Sequence, residues 1–282
     1  MTTVPRQAID AEMARKQVAA LETKPARFLR YLEEDTEALD AVLDWTLSLV
    51  QYRTVLDPAA EDSAVWQDLR LSAQSAAAIF AGAEAPSGQT VEFEVGGPVR
   101  FAGTGPRSAA SAGAWLRAAW LAVIDRNDDL IQRLCAVSLD TLRASGAEHD
   151  AYMYPWLETV QNFLAHREVP ADLFTAALDG TDPDNARITP PRVMIQLVYP
   201  PIQMFYYVLR RDEEKFNNAF AQALEQHQKY WTANSERIDE PEGFVALAPL
   251  AIAVLARSVG LSVTVESEYA PRNFVEGIRP SA

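Results

Sequence analysis

Between Asp212 and Thr232 the chain reads DEEKFNNAFAQALEQHQKYWT. Phe216, Phe220, Ala223, Leu224, His227 and Trp231 recur there at steps of three and four, so one helix would carry them all on a single face. Asp212 stands where an N-cap belongs. Glu213 and Glu214 put negative charge on the first turn, where the helix dipole favours it. Just upstream, Ile202–Leu209 (IQMFYYVL) predicts a second, more thoroughly buried helix, and Arg210 and Arg211 leave room for little but a tight turn. Residues 202–231 therefore predict an antiparallel helical hairpin, whose apolar stripe has to be buried against further helices.

The hairpin has echoes. VIDRNDDLIQRLC, starting at Val123, and VLRRDEEKFNNAF, starting at Val208, place branched aliphatics, an Arg, an Asx residue, two acids and an apolar stripe in the same order. A looser copy lies between them: a helix at Tyr154–Ala165, a turn at His166–Pro170 and a short helix at Asp172–Leu178. Hairpins at such spacing predict an α-solenoid-like stack with more residues per unit than a tetratricopeptide repeat.

Most of the remaining chain is helical in pattern too. Residues 6–33 predict one or two helices, broken or started by Pro25. After Asp35, the residues Leu39, Val42, Leu43, Thr46, Leu47 and Val50 form one stripe that ends at Asp57-Pro58. Glu61–Ala83 is a long alanine-rich helix. The pattern then changes to period two: VEFEV, Gly-Gly-Pro and VRF predict a short β-hairpin near 90–102. Gly96, Gly97, Gly103 and Gly105 sit nearby, but neither a dinucleotide fingerprint nor a Walker lysine accompanies them. Gly243–Gly260 predicts a strongly apolar helix within the C-terminal half, with Pro249 in its first turns or kinking it. Leu261–Ser267 alternates like a short strand, and the tail from Pro271 looks loosely held. The expectation is one mostly all-α domain over 1–282: N-terminal helices at 6–83, the ribbon, helical hairpins at 108–260, and a tail at 261–282.

Candidate chemistry is thin. His149, His166 and His227 are the three histidines, none spaced with another for a metal, and a single cysteine, Cys135, offers no pair. His227 lies on the apolar stripe and reads as a hydrogen-bonded core residue; Cys135 reads as a buried, inert thiol. No Gly-x-Ser-x-Gly elbow is present. Asp179-Gly180-Thr181-Asp182-Pro183-Asp184-Asn185 looks like a cation loop, yet its twelfth position is Pro190 where a calcium hand needs Glu, and turn-forming aspartates account for it as well. The expectation is no catalytic residue, no metal and no cofactor.

Charge says more about partners. The chain has 25 basic and 39 acidic residues, a net −14. That excess argues against nucleic acid and anionic membrane, which attract Lys and Arg patches, and suits either plain solubility or a basic partner. No apolar run suggests a membrane span. The start has no apolar signal core, and one cysteine fits a reducing compartment, so a cytoplasmic protein is expected.

Several segments together resemble the immunity-49 family of bacterial polymorphic toxin systems. They are AALDGTDPD (176–184), YPP (199–201), the Phe216…Tyr230-Trp231 helix with Arg237 beyond it, GFVALAPLA (243–251) and VESEYAPR (265–272). MTTVPRQAID and AWLRAAWLAV fit the same family. The resemblance implies a non-enzymatic, all-α cytoplasmic protein that binds and neutralises a cognate toxin domain. It hands over few functional residues, because most of these positions read as structural: Tyr199-Pro200-Pro201 starting a helix, Trp231 anchoring one, Gly180 closing one. The polar positions Asp179, Asp182, Asp184, Arg237 and Glu266 are the candidates for partner binding, with Arg237 facing either the partner or a buried acid. The reading from another class is a helical-repeat adaptor without a toxin; an enzyme would need polar groups converging around 179–185 and Arg237.

Overall fold

In the computed structural model residues 2–280 are described; Met1, Ser281 and Ala282, the ends of the expected 1–282 span, lie outside the described residues. The chain opens on a two-residue strand, β1 (Thr2–Thr3), followed by α1 (Ala11–Leu21) and α2 (Lys24–Phe28), with Pro25 in its first turn. α3 (Ala38–Leu56) buries the whole stripe from Leu39 to Val50 against α4 (Ser63–Glu84), whose small Ala73, Ala76, Ala77 and Ala78 let the two come close. β2 (Thr90–Glu94) and β3 (Pro98–Ala102) make the expected antiparallel hairpin, with Val91 facing Phe101 and Phe93 facing Val99. Phe93 and Phe101 turn inward. The chain is otherwise helical: α5 (Ala112–Ile124), α6 (Asp128–Cys135), α7 (Leu139–Arg143), α8 (Met153–Leu164), α9 (Ala171–Asp179), α10 (Pro191–Val193), α11 (Tyr199–Arg210), α12 (Glu213–Trp231), α13 (Leu247–Ser258) and α14 (Arg272–Glu276). A last strand, β4 (Val265–Glu266), runs parallel to β1, with Thr2 facing Val265.

The three expected hairpins, α5–α6, α8–α9 and α11–α12, share one closure. Arg126, His166 and Arg211 each take a left-handed conformation just past the first helix, at φ 51, 55 and 52. Each donates its N–H three residues back, and the following residue donates five residues back: Arg126 to Val123 and Asn127 to Ala122, His166 to Phe163 and Arg167 to Asn162, Arg211 to Val208 and Asp212 to Tyr207. This is the Schellman pattern, which satisfies the last carbonyls of a helix. On α12, Asp212 caps as expected by accepting the Lys215 N–H. Phe216 and Phe220 are fully buried and stacked 6.0 Å apart, each burial contributing roughly 1.5–3 kcal/mol.

α13 is the member that joins the two halves of the fold. It lies on α5 along one side and on α11 along another, so the apolar helix belongs between the halves, not inside the C-terminal one. Its alanines 251, 253 and 256 are fully buried, as are Ala118, Ala119 and Ala122 of α5. Pro249 falls at the third helical position, where its missing N–H matters little. One segment, Pro241–Ser258, does reach 18 residues at a mean hydropathy of 1.3, beyond the sequence expectation, but 67% of it is buried inside the protein. Its continuous α-helix has only 12 residues, roughly 18 Å, well short of the ~30 Å apolar thickness of a bilayer.

One further expectation is corrected. The tail is firmly docked: Phe274 is fully buried with its ring 4.8 Å from Trp66, Arg126 donates to the Phe274 and Val275 carbonyls, and Arg279 pairs with the buried Asp125. The short strand expected within 261–267 is present as the two-residue β4, paired with the equally short β1. Arg6 completes this clasp by donating to the carbonyls of Thr54, Phe244 and Glu268.

Candidate functional site

Tyr199-Pro200-Pro201 does not begin a helix from open chain. It continues a helical run that starts at Pro191, through a π turn at Met194–Val198. Neither proline has an N–H, and in an unbroken α-helix the Pro200 ring would press on the Gln196 carbonyl. The wide turn moves that carbonyl aside, and the Tyr199 N–H donates to Met194, five residues back. The widened run therefore sets the direction in which α11 presents its outer face.

That outer face is unusual in composition. Of seven large hydrophobic side chains exposed among the described residues, four lie between 188 and 206: Ile188, Ile195, Tyr199 and Tyr206. Tyr206 contradicts the expectation that 202–209 is thoroughly buried; it points outward, with its ring stacked on Phe174 of α9 at 5.9 Å. Ile195 and Tyr199, one turn apart, line a depression of about 680 Å³ together with Leu178, Asp179, Thr181 and Asp182.

The loop beside it is held from three sides. Asp182 accepts the Asp184 N–H and the Asn185 side-chain amide, so it shapes an Asx turn of the kind the aspartate-rich sequence allowed. Gly180 ends α9 with ordinary helical φ, so glycine is not there for a left-handed cap. It is there for contact: a Cβ would stand 2.6 Å from the Tyr152 backbone nitrogen. On the far side Asp150 accepts the N–H groups of Arg187, Ile188 and Thr189. Burial alone would raise the Asp150 pKa, but these three donors and the Thr189 hydroxyl hold it down at about 2.

The five candidate residues divide. Asp179, Asp182 and Asp184 come together in this loop, all exposed, and none has a cationic side chain within 4.0 Å among the described residues. Arg237 stands beyond α12 and lies over the Tyr230 ring at 4.3 Å, and among the described residues it forms no salt bridge with an acid. Glu266 belongs to the terminal clasp: its carbonyl accepts the Val4 N–H, and it lines a separate cleft with Arg257 and Arg272. The apolar half of the depression was missed by sequence reasoning, because Ile195 and Tyr199 look like core residues until their face is seen to be only partly covered.

Elsewhere three residues that the sequence singled out are packed into the fold. His227 is buried, its Nε2 3.0 Å from the Gly243 carbonyl, and burial drives its pKa down to about 4. Cys135 is half-buried, with its thiol pushed up to about 11 by burial, so almost no thiolate exists near neutral pH. Trp231 packs on Gly243, where a Cβ would come within 2.8 Å of the indole. Among the described residues, no three His, Cys, Asp or Glu side chains gather as a metal site would. The depression beside the loop is open, with Asp179 and Asp182 at its edge.

No curated protein and no solved structure matches the chain. The sequence profile of the family described as Immunity protein 49 does match, over residues 57–274, from just past the end of α3 into α14. Since that stretch contains the ribbon, all three hairpins and the acidic loop, the chain belongs to the immunity protein 49 family.

Proposed function

We propose that this immunity protein neutralises a cognate bacterial toxin domain by binding it and covering the surface the toxin needs. Family membership supports the immunity role. One observation supports the choice of face: among the described residues Asp179, Asp182 and Asp184 stand without cationic partners beside the depression lined by Ile195 and Tyr199. Carboxylates around an apolar hollow suit a basic protein surface, the charges speeding the approach and the hollow lengthening the stay. The net charge of −14 extends the same field. A toxin that acts on nucleic acid carries a cleft lined with Lys and Arg to hold phosphates, and an acidic helical face fills such a cleft. In this reading the encounter takes place in the cytoplasm, and the protein forms no covalent bond and uses no cofactor.

Co-expression with candidate toxin domains in a bacterial host tests the proposal. The expected result is survival together with a one-to-one complex whose association rate falls as salt is raised. Survival without a complex would replace occlusion by a chemical action on the toxin or its target. A complex without rescue would make the protein an adaptor. An association rate equal at low and high salt would remove the electrostatic part.

A further inference from the structure

Resting on that reading, we infer that the binding energy is concentrated in the apolar row Ile195, Tyr199 and Tyr206, seated in an apolar hollow of a basic toxin surface. Ile195, Tyr199 and Tyr206 recur at spacings of four and seven, which aligns them along one side of the run from α10 through α11. Ile195 is 51% exposed, and the two tyrosines 37% and 38%. Large side chains grouped in this way on water mark an interaction surface more often than single exposed ones do. Tyrosine is also among the residues that dominate interfaces energetically.

The row is rigid before anything binds. Tyr206 is stacked on Phe174, and Tyr199 is followed at once by the buried Pro200 and Pro201. The chain entering the run is fixed by the three N–H groups on Asp150. Little conformational freedom is left to lose on association, which raises the affinity such a row can give. Charge decides the occupant. A second copy of this chain docked across a two-fold axis would set Asp179, Asp182 and Asp184 against the same three carboxylates, whereas a Lys- and Arg-rich partner would neutralise them. The row and the acids thus divide the work: the row governs dissociation and the acids govern association.

The test uses the full chain and the toxin domain from which it rescues the host in co-expression, inactivated at its own catalytic residues, with binding kinetics and thermal melting read on the same samples. Ile195→Ala and Tyr199→Ala are expected to weaken binding at least ~30-fold, about 2 kcal/mol, mainly through faster dissociation, with the melting temperature within a few degrees of wild type. Asp179→Asn and Asp184→Asn are expected to slow association at low salt and to have no effect at high salt. Tyr31→Ala and Ile278→Ala, equally exposed but elsewhere, should bind as wild type does. Full binding by the row variants, with loss in the Tyr31 or Ile278 variants, would overturn the assignment and leave the immunity reading intact. A wild-type dimer that Ile195→Asp turns into a monomer would make the row a self-interface and overturn the inference. Wild type that neither binds nor protects against any of the candidate toxin domains would overturn both.

Discussion

The turn between α5 and α6 and the turn between α11 and α12 have the same backbone and use it differently. Arg126 and Arg211 occupy the same left-handed position, and Asn127 and Asp212 then cap the next helix by accepting the Leu130 and Lys215 N–H groups. The Arg126 guanidinium reaches across to the carbonyls of Phe274 and Val275 and so ties down the C-terminal segment. Gly277 fits this contact because any Cβ there would come within 2.7 Å of the same guanidinium. The side chain of Arg211 lies exposed in solvent. A repeated sequence phrase thus specifies how the chain turns, and the surroundings specify what the repeated arginine does.

The largest break in this comparison comes from Phe274→Ala, which empties the site the tail fills against Trp66. It should cost about 3–5 kcal/mol, read as a fall in the denaturant midpoint; a loss under 1 kcal/mol would mean the tail adds little to the fold. Next comes the arginine pair itself. Arg126→Ala removes the two charge-assisted hydrogen bonds to carbonyls of the tail and should cost about 2 kcal/mol. Arg211→Ala, with nothing comparable to lose, should stay within about 0.5 kcal/mol of wild type. Equal losses would mean that the shared turn, and not the tail contact, is what either arginine supports.

The same contrast explains what the sequence could and could not disclose. Local information was enough for the hairpins, because stripes such as Phe216–Phe220–Leu224 and caps such as Asp212 lie within a few residues of what they control. The clasp was not legible: Thr2 meets Val265 across almost the whole chain, and a two-residue strand has no period to detect. The docked tail was missed for the same reason, since Phe274 and Val275 sit in a five-residue helix, too short for a stripe. At the candidate site, the density of aspartates from 179 to 184 could be seen directly. Ile195 and Tyr199 could not be told from core, because an apolar residue on a helix is buried only if another element covers it, and α9 reaches only the edge of this face. Gly180 closes α9 as its sequence position suggested, but the second reason for glycine was hidden: the Tyr152 backbone, far off in sequence, is what excludes a side chain there.

A smaller effect sharpens the comparison through the backbone alone. A non-glycine residue in the left-handed region is strained by roughly 1 kcal/mol. Arg211→Gly should therefore gain about 0.5–1 kcal/mol, offset in part by the greater freedom of glycine in the unfolded chain. Arg126→Gly should show a net loss, because relief of the same strain does not replace the bonds to the tail. If both glycine variants were stabilised alike, the tail contact would carry no weight.

The smallest effect is in pH dependence, where the two turns should differ in sign. Asp212 has its pKa lowered, first by the Lys215 N–H and then by the Lys215 side chain. Its folded carboxyl releases its proton more readily than the unfolded one, so its support is present above the unfolded pKa of about 3.9 and is lost as pH falls through the lower folded value. Asp125, next to the other turn, has its pKa raised by burial against the pull of Arg70 and Arg279. Its folded form holds the proton more tightly, so its contribution grows less favourable as pH rises from the unfolded value through the folded one. Unfolding free energies measured from pH 7 to pH 2 should show a shallower acid decline in Asp212→Asn than in wild type. In Asp125→Asn the decline should be steeper over the window that begins near pH 4 and extends upward, because a group that took up a proton on folding has been removed. Two slopes changing in the same direction would show that the paired turns, alike in backbone, are also alike in electrostatics.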